Sequence, residues 1–445
     1  MAPPGPRTPA IVNAVRYARD PLGFHPRAHR RHGDVFRLSF PDFRDVVYVA
    51  DPDLVRELFT GDPAQLHAGE ANATILEPAV GPSSVLVLDD DRHLRARKLL
   101  LPPFHGRSLE AHRATIHEAA AGDLERWPVG RPFAVHPHMQ AITLEVILRA
   151  VFGVRDAGRL AHAREVVAEF AEASSALMLP SVLRRDLGRW SPWRRFLRSR
   201  DALDALVREE LALRRAEDDG EDRDDVLALL LRARDEDGRP MDDAALRDEL
   251  VTVVGAGHET TATALTWAVE RLVRHPEALA RLRASLEAGE TAYLDAVIKE
   301  TLRVRPVIAD VARRLTAPLE IGGHRLPAGT IVLAAITAVH AREDLYPDPG
   351  AFRPERFLAG DAPGTYGWIP FGGGIRRCLG AAFAQEELRI VLREVVLRAD
   401  LRAGDPADER ARMRNVTLAP ARGGRVVLER PVRPAPAPSP ALAAT

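Results

Sequence analysis

The stretch Phe371-Gly372-Gly373-Gly374-Ile375-Arg376-Arg377-Cys378-Leu379-Gly380 decides how this sequence is interpreted. Three consecutive glycines allow the backbone to take positive φ values and to bring amide groups close to a ligand. Cys378 is the one cysteine of the chain, and an apolar pattern typical of a helix follows it. A helix N-terminus and two preceding arginines both stabilise a thiolate, so we expect the thiol pKa to be lowered. Cys378 is therefore predicted to be a metal-bound or reactive sulfur.

A single cysteine also limits the chemistry that the chain can support. It excludes an internal disulfide and argues against a zinc site or an iron–sulfur cluster, both of which need further ligands of this kind. A cysteine nucleophile would need a nearby base, and no protease-type cysteine signature is present. The candidate that remains is a single thiolate bound to haem iron.

The segment fits the pattern Phe-x-x-Gly-x-x-x-Cys-x-Gly and so resembles the haem-binding loop of the cytochrome P450 family. The resemblance extends from about Pro21 to Arg430. It implies a mainly α fold with small antiparallel β sheets, haem b as cofactor and Cys378 as the axial iron ligand. The loop residues that it assigns to cofactor binding are Phe371, Gly372, Arg376 and Gly380.

Two separated motifs extend the resemblance. Glu300-Thr301-Leu302-Arg303 places a glutamate and an arginine three residues apart, which by itself is a common helix-surface pair. A later segment, Phe352-Arg353-Pro354-Glu355-Arg356-Phe357, resembles the family's partner for that pair. The resemblance implies a buried ionic triad of Glu300, Arg303 and Arg356 with a structural role.

The segment Gly255-Ala256-Gly257-His258-Glu259-Thr260-Thr261 lies inside a predicted long helix. Two glycines there cost roughly 1 kcal/mol each relative to alanine, so we expect a local opening of the helix. The motif resembles the family's acid–alcohol pair, which implies that Glu259 and Thr260 relay protons during oxygen activation. A zincin site is excluded because residue 262 is alanine, and a dinucleotide loop lacks its third glycine.

His93 and Arg97 are four residues apart and lie on one face of a predicted helix. Without other motifs, the expectation would be a solvated basic helix. The resemblance implies instead that both bind the haem propionates together with Arg313 and Arg376, because buried carboxylates need charge-assisted partners. Arg313 is preferred to the neighbouring Arg314.

The spacing of apolar residues and the positions of proline and glycine predict the secondary structure. Helices are predicted over Leu246–His275, Tyr293–Arg305 and Leu379–Arg398. Short strands are predicted over Val35–Phe40 and Asp45–Ala50, with strand pairs around Gly322-Gly323 and Gly423-Gly424. The domain prediction is a proline-rich segment over residues 1–20, one catalytic domain over 21–430 and a disordered Pro/Ala tail over 431–445. Trp190 and Trp193 lie in an arginine-dense stretch; packing against helices is the preferred prediction, and contact with lipid or a carrier protein is the alternative.

Charge and hydropathy restrict the partners. The chain has 62 Lys plus Arg against 63 Asp plus Glu, which argues against nucleic acid binding. It shows neither a signal peptide nor a run of about 18 apolar residues, so we expect a soluble, cytoplasmic protein without a membrane span. No flavin or iron–sulfur segment follows residue 430, so electrons are expected from a ferredoxin or flavodoxin with its NAD(P)H reductase. The basic residues predicted to dock that carrier are Arg92, Arg95, Lys98 and Arg377.

The function implied by the resemblance is a monooxygenase that uses dioxygen to hydroxylate or epoxidise a lipophilic small molecule. Two alternatives stay open at this point, a peroxygenase driven by hydrogen peroxide and a non-catalytic haem-thiolate sensor or carrier. The Glu259-Thr260 pair argues against the peroxygenase, because the family's peroxide-using members resemble this pattern less well.

Overall fold

A computed structural model describes residues 2–104, 106–154, 156–216, 223–358 and 363–434. The part of the predicted tail from residue 435 onward lies outside these ranges. The helices of the described part are α1 (Ala10–Arg19), α2 (Pro21–His32), α3 (Pro52–Thr60), α4 (Ala68–Val80), α5 (Asp90–Leu100), α6 (Arg107–Leu124), α7 (His136–Phe152), α8 (Ala157–Ala173), α9 (Pro192–Ala216), α10 (Val226–Arg232), α11 (Asp243–Arg274), α12 (Pro276–Glu287), α13 (Ala292–Val304), α14 (Ile336–Val339) and α15 (Ala381–Arg398).

The strands are short and form small sheets. Their bounds are β1 (Val35–Phe40), β2 (Phe43–Val49), β3 (Leu66–His67), β4 (Pro132–Ala134), β5 (Val311–Leu315), β6 (Leu319–Ile321), β7 (His324–Leu326), β8 (Ile331–Ala334), β9 (Leu401–Ala403), β10 (Ala411–Arg414), β11 (Thr417–Pro420) and β12 (Arg425–Leu428). The largest described sheet has the order β1-β2-β8-β5-β3, and its β2–β8 pair is parallel. The other sheets have the orders β4-β12-β9, β10-β11 and β6-β7, with antiparallel pairs.

The longest described helix, α11, passes through the main core. Its N-terminus is capped by Asp242, whose carboxylate accepts from the Ala245 amide at 2.8 Å, and Pro276 begins the next helix. Trp267 is fully buried, and its indole nitrogen donates to the Leu418 carbonyl at 2.7 Å. The three predicted helices are therefore confirmed as α11, α13 and α15, with small shifts at their ends.

The strand predictions are confirmed near the N-terminus and only partly near the C-terminus. The pair around Gly322-Gly323 forms as β6 and β7. The pair predicted around Gly423-Gly424 is wrong: β11 pairs with β10, whereas β12 pairs with β4 and β9. The reason is that β12 already has a partner on each side, β4 and β9, so neither edge is left for β11.

The cysteine loop lies between two cores. Phe371 packs against the main core, which surrounds α11. Phe59, at the end of α3, belongs to a smaller core beneath the five-stranded sheet, and the loop glycines touch it. The fold thus places the single thiol where the helical part meets the β-rich part. Within the described ranges, every helix is too short or too polar to span a bilayer.

Candidate cofactor and active site

The glycines of the cysteine loop are required by their backbone angles and by two close contacts with Phe59. Gly372 and Gly374 have φ values of 66° and 62°. A Cβ on Gly374 would lie 1.9 Å from the Phe59 carbonyl oxygen, and a Cβ on Gly373 would lie 2.3 Å from the Phe59 ring. The loop then returns on itself, because the Cys378 amide donates to the Phe371 carbonyl at 3.0 Å.

Cys378 keeps solvent-accessible surface, although many protein atoms surround its side chain. Burial raises the pKa of the Cys378 thiol, and the Gly380 amide, Arg97 and Arg377 lower it only in part. The predicted lowering of this pKa is therefore wrong for the protein alone. Helix α15 begins at Ala381, and the loss of hydration outweighs the nearby positive groups.

Four positively charged or donor side chains lie close to the cysteine loop. His93 on α5, Arg313 on β5 and Arg376 in the cysteine loop line one small cavity. Arg97, one turn after His93, is half-buried close enough to Cys378 for their charges to interact. The structure thus brings together the residues predicted to bind propionates, and Arg313 is buried whereas Arg314 is exposed.

Without a bound anion, the positive charges of this cluster are buried and repel one another. Burial, followed by the charges of Arg376 and Arg97, lowers the pKa of His93 to about 3. Burial and the Arg376 charge lower the pKa of Arg313 to about 10, and burial lowers that of Arg376 to about 10 as well. One carboxylate, Asp89, pairs with Arg376 at 2.5 Å. A cluster of this kind favours binding of further anionic groups.

The middle of α11 carries the predicted acid–alcohol motif and has open space beside one of its glycines. Gly255 and Ala256 are exposed, although Val254 and His258 beside them are buried, and a Cβ on Gly255 would meet no atom within 4 Å. Gly257 has a different role, since its Cβ would lie 2.7 Å from Ile147 on α7. One glycine therefore leaves open space and the other allows two helices to pack closely.

The predicted opening of α11 is not seen, because residues 243–274 are helical throughout. Instead the Thr260 hydroxyl donates to the Ala256 carbonyl one turn earlier at 2.6 Å. This bond offers the carbonyl a second donor without breaking the helix.

Glu259 is buried and held by partners from two other elements. Its carboxylate accepts from the Gln140 amide at 2.8 Å and lies 3.1 Å from Nε of Arg414 and 3.5 Å from Nε2 of His136. Burial alone would raise the pKa of Glu259, but the nearby His136 imidazole and the Arg414 charge lower it. No motif near Glu259 in the sequence indicates these partners, which α7 and β10 bring to it.

The ionic triad comes together as the motifs predict. Nε and Nη2 of Arg303 donate to the two carboxylate oxygens of Glu300 at 2.7 and 2.8 Å. Nε of Arg356 lies 3.4 Å from the same carboxylate, and the Arg353 amide donates to it at 2.8 Å. Glu300 is completely buried, so these donors replace the water that it loses.

Sequence comparison decides the family. The model of the family described as Cytochrome P450 matches residues 3–423. The chain is 46% identical over 434 residues to "Putative cytochrome P450 135B1" of Mycobacterium tuberculosis, covering 95% of this chain and 90% of that protein. This chain belongs to the cytochrome P450 family. It is also 42% identical over 430 residues to "Putative cytochrome P450 135A1" of the same organism, covering 96% of this chain and 95% of that protein.

A solved structure agrees with this P450 assignment at the level of the fold. "Retinoic acid bound cyanobacterial CYP120A1" superimposes with a TM-score of 0.84 at 24% identity, covering 96% of this chain and 99% of that chain. The predicted fold class is thus confirmed. As a P450, the chain is a haem-thiolate monooxygenase that works with dioxygen and redox partners.

The residues of this P450 fit such a cofactor. Cys378 is accessible, a Cβ on Gly255 would meet open space, and the buried cationic groups Arg313 and Arg376 would be satisfied by anionic substituents. The donors that could meet two carboxylates are His93, Arg97, Arg313 and Arg376.

Proposed function

We propose that this P450 hydroxylates or epoxidises a lipophilic small molecule in the cytoplasm, with haem b as cofactor and electrons from NAD(P)H. The observation that carries the proposal is the single accessible cysteine, Cys378, in a loop whose Arg376 lines one cavity with His93 and Arg313 and whose thiol lies near Arg97. When bound there, the haem supplies the iron that activates dioxygen.

Different residues of the chain bind the iron, hold the propionates and transfer protons. Cys378 binds the iron through its sulfur, and the Gly380 amide supports the thiolate. His93, Arg97, Arg313 and Arg376 hold the propionates. Thr260 moves protons at its hydroxyl, which faces the exposed side of α11, and Glu259 supplies them from its buried position.

A lipophilic substrate is supported by the side chains of the segments that flank the site. Ile75, Leu76, Val253 and Ile308 are half-buried, and Val416 at the tip of the β10–β11 hairpin is exposed. Partly covered apolar side chains of this kind suit a ligand without charge.

Replacement of the sulfur tests the proposed iron ligand. Cys378→Ala and Cys378→His should lose the reduced carbon monoxide band that is characteristic of the family, whereas the adjacent exposed variant Arg377→Gln should keep it. An unchanged band in Cys378→Ala would overturn the assignment.

Turnover of a bound lipophilic compound should require NAD(P)H and a reductase. Turnover with hydrogen peroxide alone would indicate a peroxygenase instead.

A ferredoxin or flavodoxin is the proposed electron donor, and α5 supplies much of its docking face. Arg92, Arg95 and Arg377 are exposed and make no ion pair within the described residues, whereas Lys98 pairs with Glu236. Exposed arginines near the cysteine loop would attract an acidic carrier.

Charge reversal tests this docking face. Arg95→Glu with Arg377→Glu should lower the rate of reduction by the carrier by about tenfold at low salt and much less at high salt, because the attraction is screened. Arg412→Glu on β10 changes an exposed arginine elsewhere and should leave the rate unchanged. A salt-dependent rate that is the same in the wild type and in the double variant would contradict this docking face.

A further inference from the structure

Exposed apolar side chains are concentrated in one segment between α8 and α9. Among the described residues, the three most exposed large apolar side chains are Trp190 at 84%, Leu187 at 75% and Val182 at 65%. Met178 and Leu183 in the same segment are exposed too. We call Met178, Val182, Leu183, Leu187 and Trp190 the 178–190 surface. Isolated exposed apolar residues are ordinary, but five within thirteen positions indicate a binding surface.

Trp190 departs from the packing predicted for it. Trp193 is half-buried and packs on Phe196, with ring centroids 5.0 Å apart, as predicted. Trp190 precedes α9, which begins at Pro192, and its ring projects into solvent. The prediction that Trp190 packs against a helix is therefore wrong.

The charges beside this surface are mostly positive, and the one aspartate within it, Asp186, lies 3.8 Å from Arg194. Arg185, Arg189 and Arg198 are exposed and make no ion pair in the described part of the chain. The Arg189 guanidinium lies 4.9 Å from the centre of the Trp190 ring. Apolar and aromatic side chains flanked by free arginines are typical of segments that lie in the interface of an anionic membrane.

The 178–190 surface is held in place by hydrogen bonds at its base. The amide and hydroxyl of Ser181 donate to the Asp42 carboxylate at 2.8 and 2.9 Å. The Arg184 guanidinium donates to the Leu179 carbonyl at 2.9 Å and to the Thr74 carbonyl on α4 at 2.6 Å. These bonds join the segment to the β1–β2 turn and to α4, so an ordered turn carries the apolar side chains.

The β1–β2 hairpin, whose turn contains Asp42, also packs against α1, which carries a second group of exposed apolar side chains. Asp42 lies in the turn between β1 and β2, and Phe40 beside it packs on Tyr17 of α1, with ring centroids 6.0 Å apart. Ile11 and Val15, one turn apart on α1, are exposed. The β1–β2 hairpin therefore joins two apolar surfaces.

We propose that the 178–190 surface binds the surface of an anionic lipid bilayer. Trp190 and Leu187 enter the headgroup region, and Arg185 and Arg189 contact lipid phosphates. The positive charge favours an anionic bilayer over an uncharged apolar partner. The inference concerns peripheral binding and does not depend on the proposed substrate or redox partner.

Vesicle flotation with the haem-loaded protein tests the proposal. The wild type should float with vesicles of phosphatidylglycerol and phosphatidylcholine, and much less with phosphatidylcholine alone. Leu187→Gln with Trp190→Gln should lower the partition coefficient by about tenfold or more. Arg185→Gln with Arg189→Gln should lower it by about thirtyfold at low salt. Trp190→Phe should remove a fluorescence blue shift that anionic vesicles cause in the wild type.

Two controls and two outcomes make the experiment decisive. Leu213→Gln on α9 and Arg412→Gln on β10 replace exposed residues elsewhere and should bind vesicles like the wild type. A wild type that does not bind anionic vesicles would overturn the proposal. So would concentration-dependent dimers that Leu187→Gln with Trp190→Gln abolishes while vesicle binding is unchanged, because the surface would then bind a second copy of the chain.

Discussion

At the scale of single residues, Glu259 and Thr260 are adjacent in the sequence but are held by different partners. The Glu259 carboxylate is bound by Gln140 and Arg414, whereas the Thr260 hydroxyl donates to the Ala256 carbonyl. No hydrogen bond joins the two side chains in the described structure. For Glu259 to supply Thr260 with protons, the carboxylate must move away from Arg414 or act through water.

Thr260→Ala tests the proton transfer proposed for this hydroxyl. The helix should tolerate the change, because the Ala256 carbonyl keeps its backbone donor. Product formed per NAD(P)H should fall by about tenfold or more, with hydrogen peroxide released instead. Thr260→Ser keeps a hydroxyl and should stay coupled. Peroxide assays alongside product analysis check this, and full coupling in Thr260→Ala would contradict the proposed role.

Glu249 predicts a pH dependence of stability. It is completely buried on α11, and its Oε1 accepts from the Val85 amide at 2.8 Å. Burial raises the pKa of Glu249 to about 8, although the Val85 amide opposes this. Between the ordinary pKa of a glutamate and pH 8 the folded state therefore holds a proton that the unfolded state has lost. This contribution to stability is largest at acidic pH and falls as the pH rises towards 8.

Glu249→Gln removes that titration and keeps an oxygen for the Val85 amide. The difference in unfolding free energy between variant and wild type should shift in favour of the variant by up to about 1.4 kcal/mol per pH unit as the pH rises from 5.5 to 7.5. Denaturant unfolding at several pH values measures it. Glu277→Gln, at an exposed position on α12, should show no such trend. A pH-independent difference for Glu249→Gln would show that this carboxyl does not titrate in that range.

At the scale of elements, identical local patterns have different outcomes. Gly322-Gly323 and Gly423-Gly424 both have positive φ values, and each lies between two strands. Only the first dipeptide closes a hairpin, because its strands find no other partners, whereas β12 pairs with β4 and β9. Helix bounds were predictable because capping residues and prolines act locally. Strand partners were not, because they depend on segments that are distant in sequence.

Glycine is needed in the cysteine loop for two reasons, positive φ and close contact with Phe59, and Gly372 and Gly374 allow the two to be tested apart. Both have positive φ, but only a Cβ on Gly374 would overlap the Phe59 carbonyl. Gly372→Ala should therefore cost about 1–2 kcal/mol of stability from backbone strain alone. Gly374→Ala should cost more and weaken haem retention, because the loop must move away from α3. Unfolding curves and haem-transfer rates of both variants test this, and equal effects would show that the Phe59 contact does not matter.

At the scale of the whole molecule, the site combines residues from most of the chain. The resemblance to the P450 family was sufficient to predict that His93, Arg313 and Arg376 come together, although the local pattern around His93 alone indicates only a basic helix. They could not predict the pKa direction of Cys378 or the contact of Arg414 with Glu259. Both depend on which distant segments exclude water or supply a charge, and such tertiary packing leaves no local pattern.

The triad residue Arg303 joins several segments. Besides its two bonds to Glu300, its Nη1 donates to the His340 and Pro349 carbonyls at 2.9 and 2.8 Å, and its Nη2 donates to the Ala351 carbonyl at 3.0 Å. Arg356 makes fewer contacts than Arg303: it lies 3.4 Å from the Glu300 carboxylate and donates one hydrogen bond, to the Asp348 carbonyl at 2.7 Å. One guanidinium thus ties α13 to the chain between α14 and the cysteine loop.

Arg303→Lys keeps the charge but cannot satisfy five acceptors from one ammonium, so buried carbonyls and part of the Glu300 carboxylate lose their donors. We expect a loss of about 3–5 kcal/mol in unfolding free energy, with early loss of haem on heating. Arg356→Lys should cost about 1 kcal/mol, because a lysine can replace its two contacts. Denaturant unfolding of the haem-loaded variants measures both values. Equal losses, or an Arg303→Lys variant as stable as the wild type, would show that Arg303 does not hold these segments together.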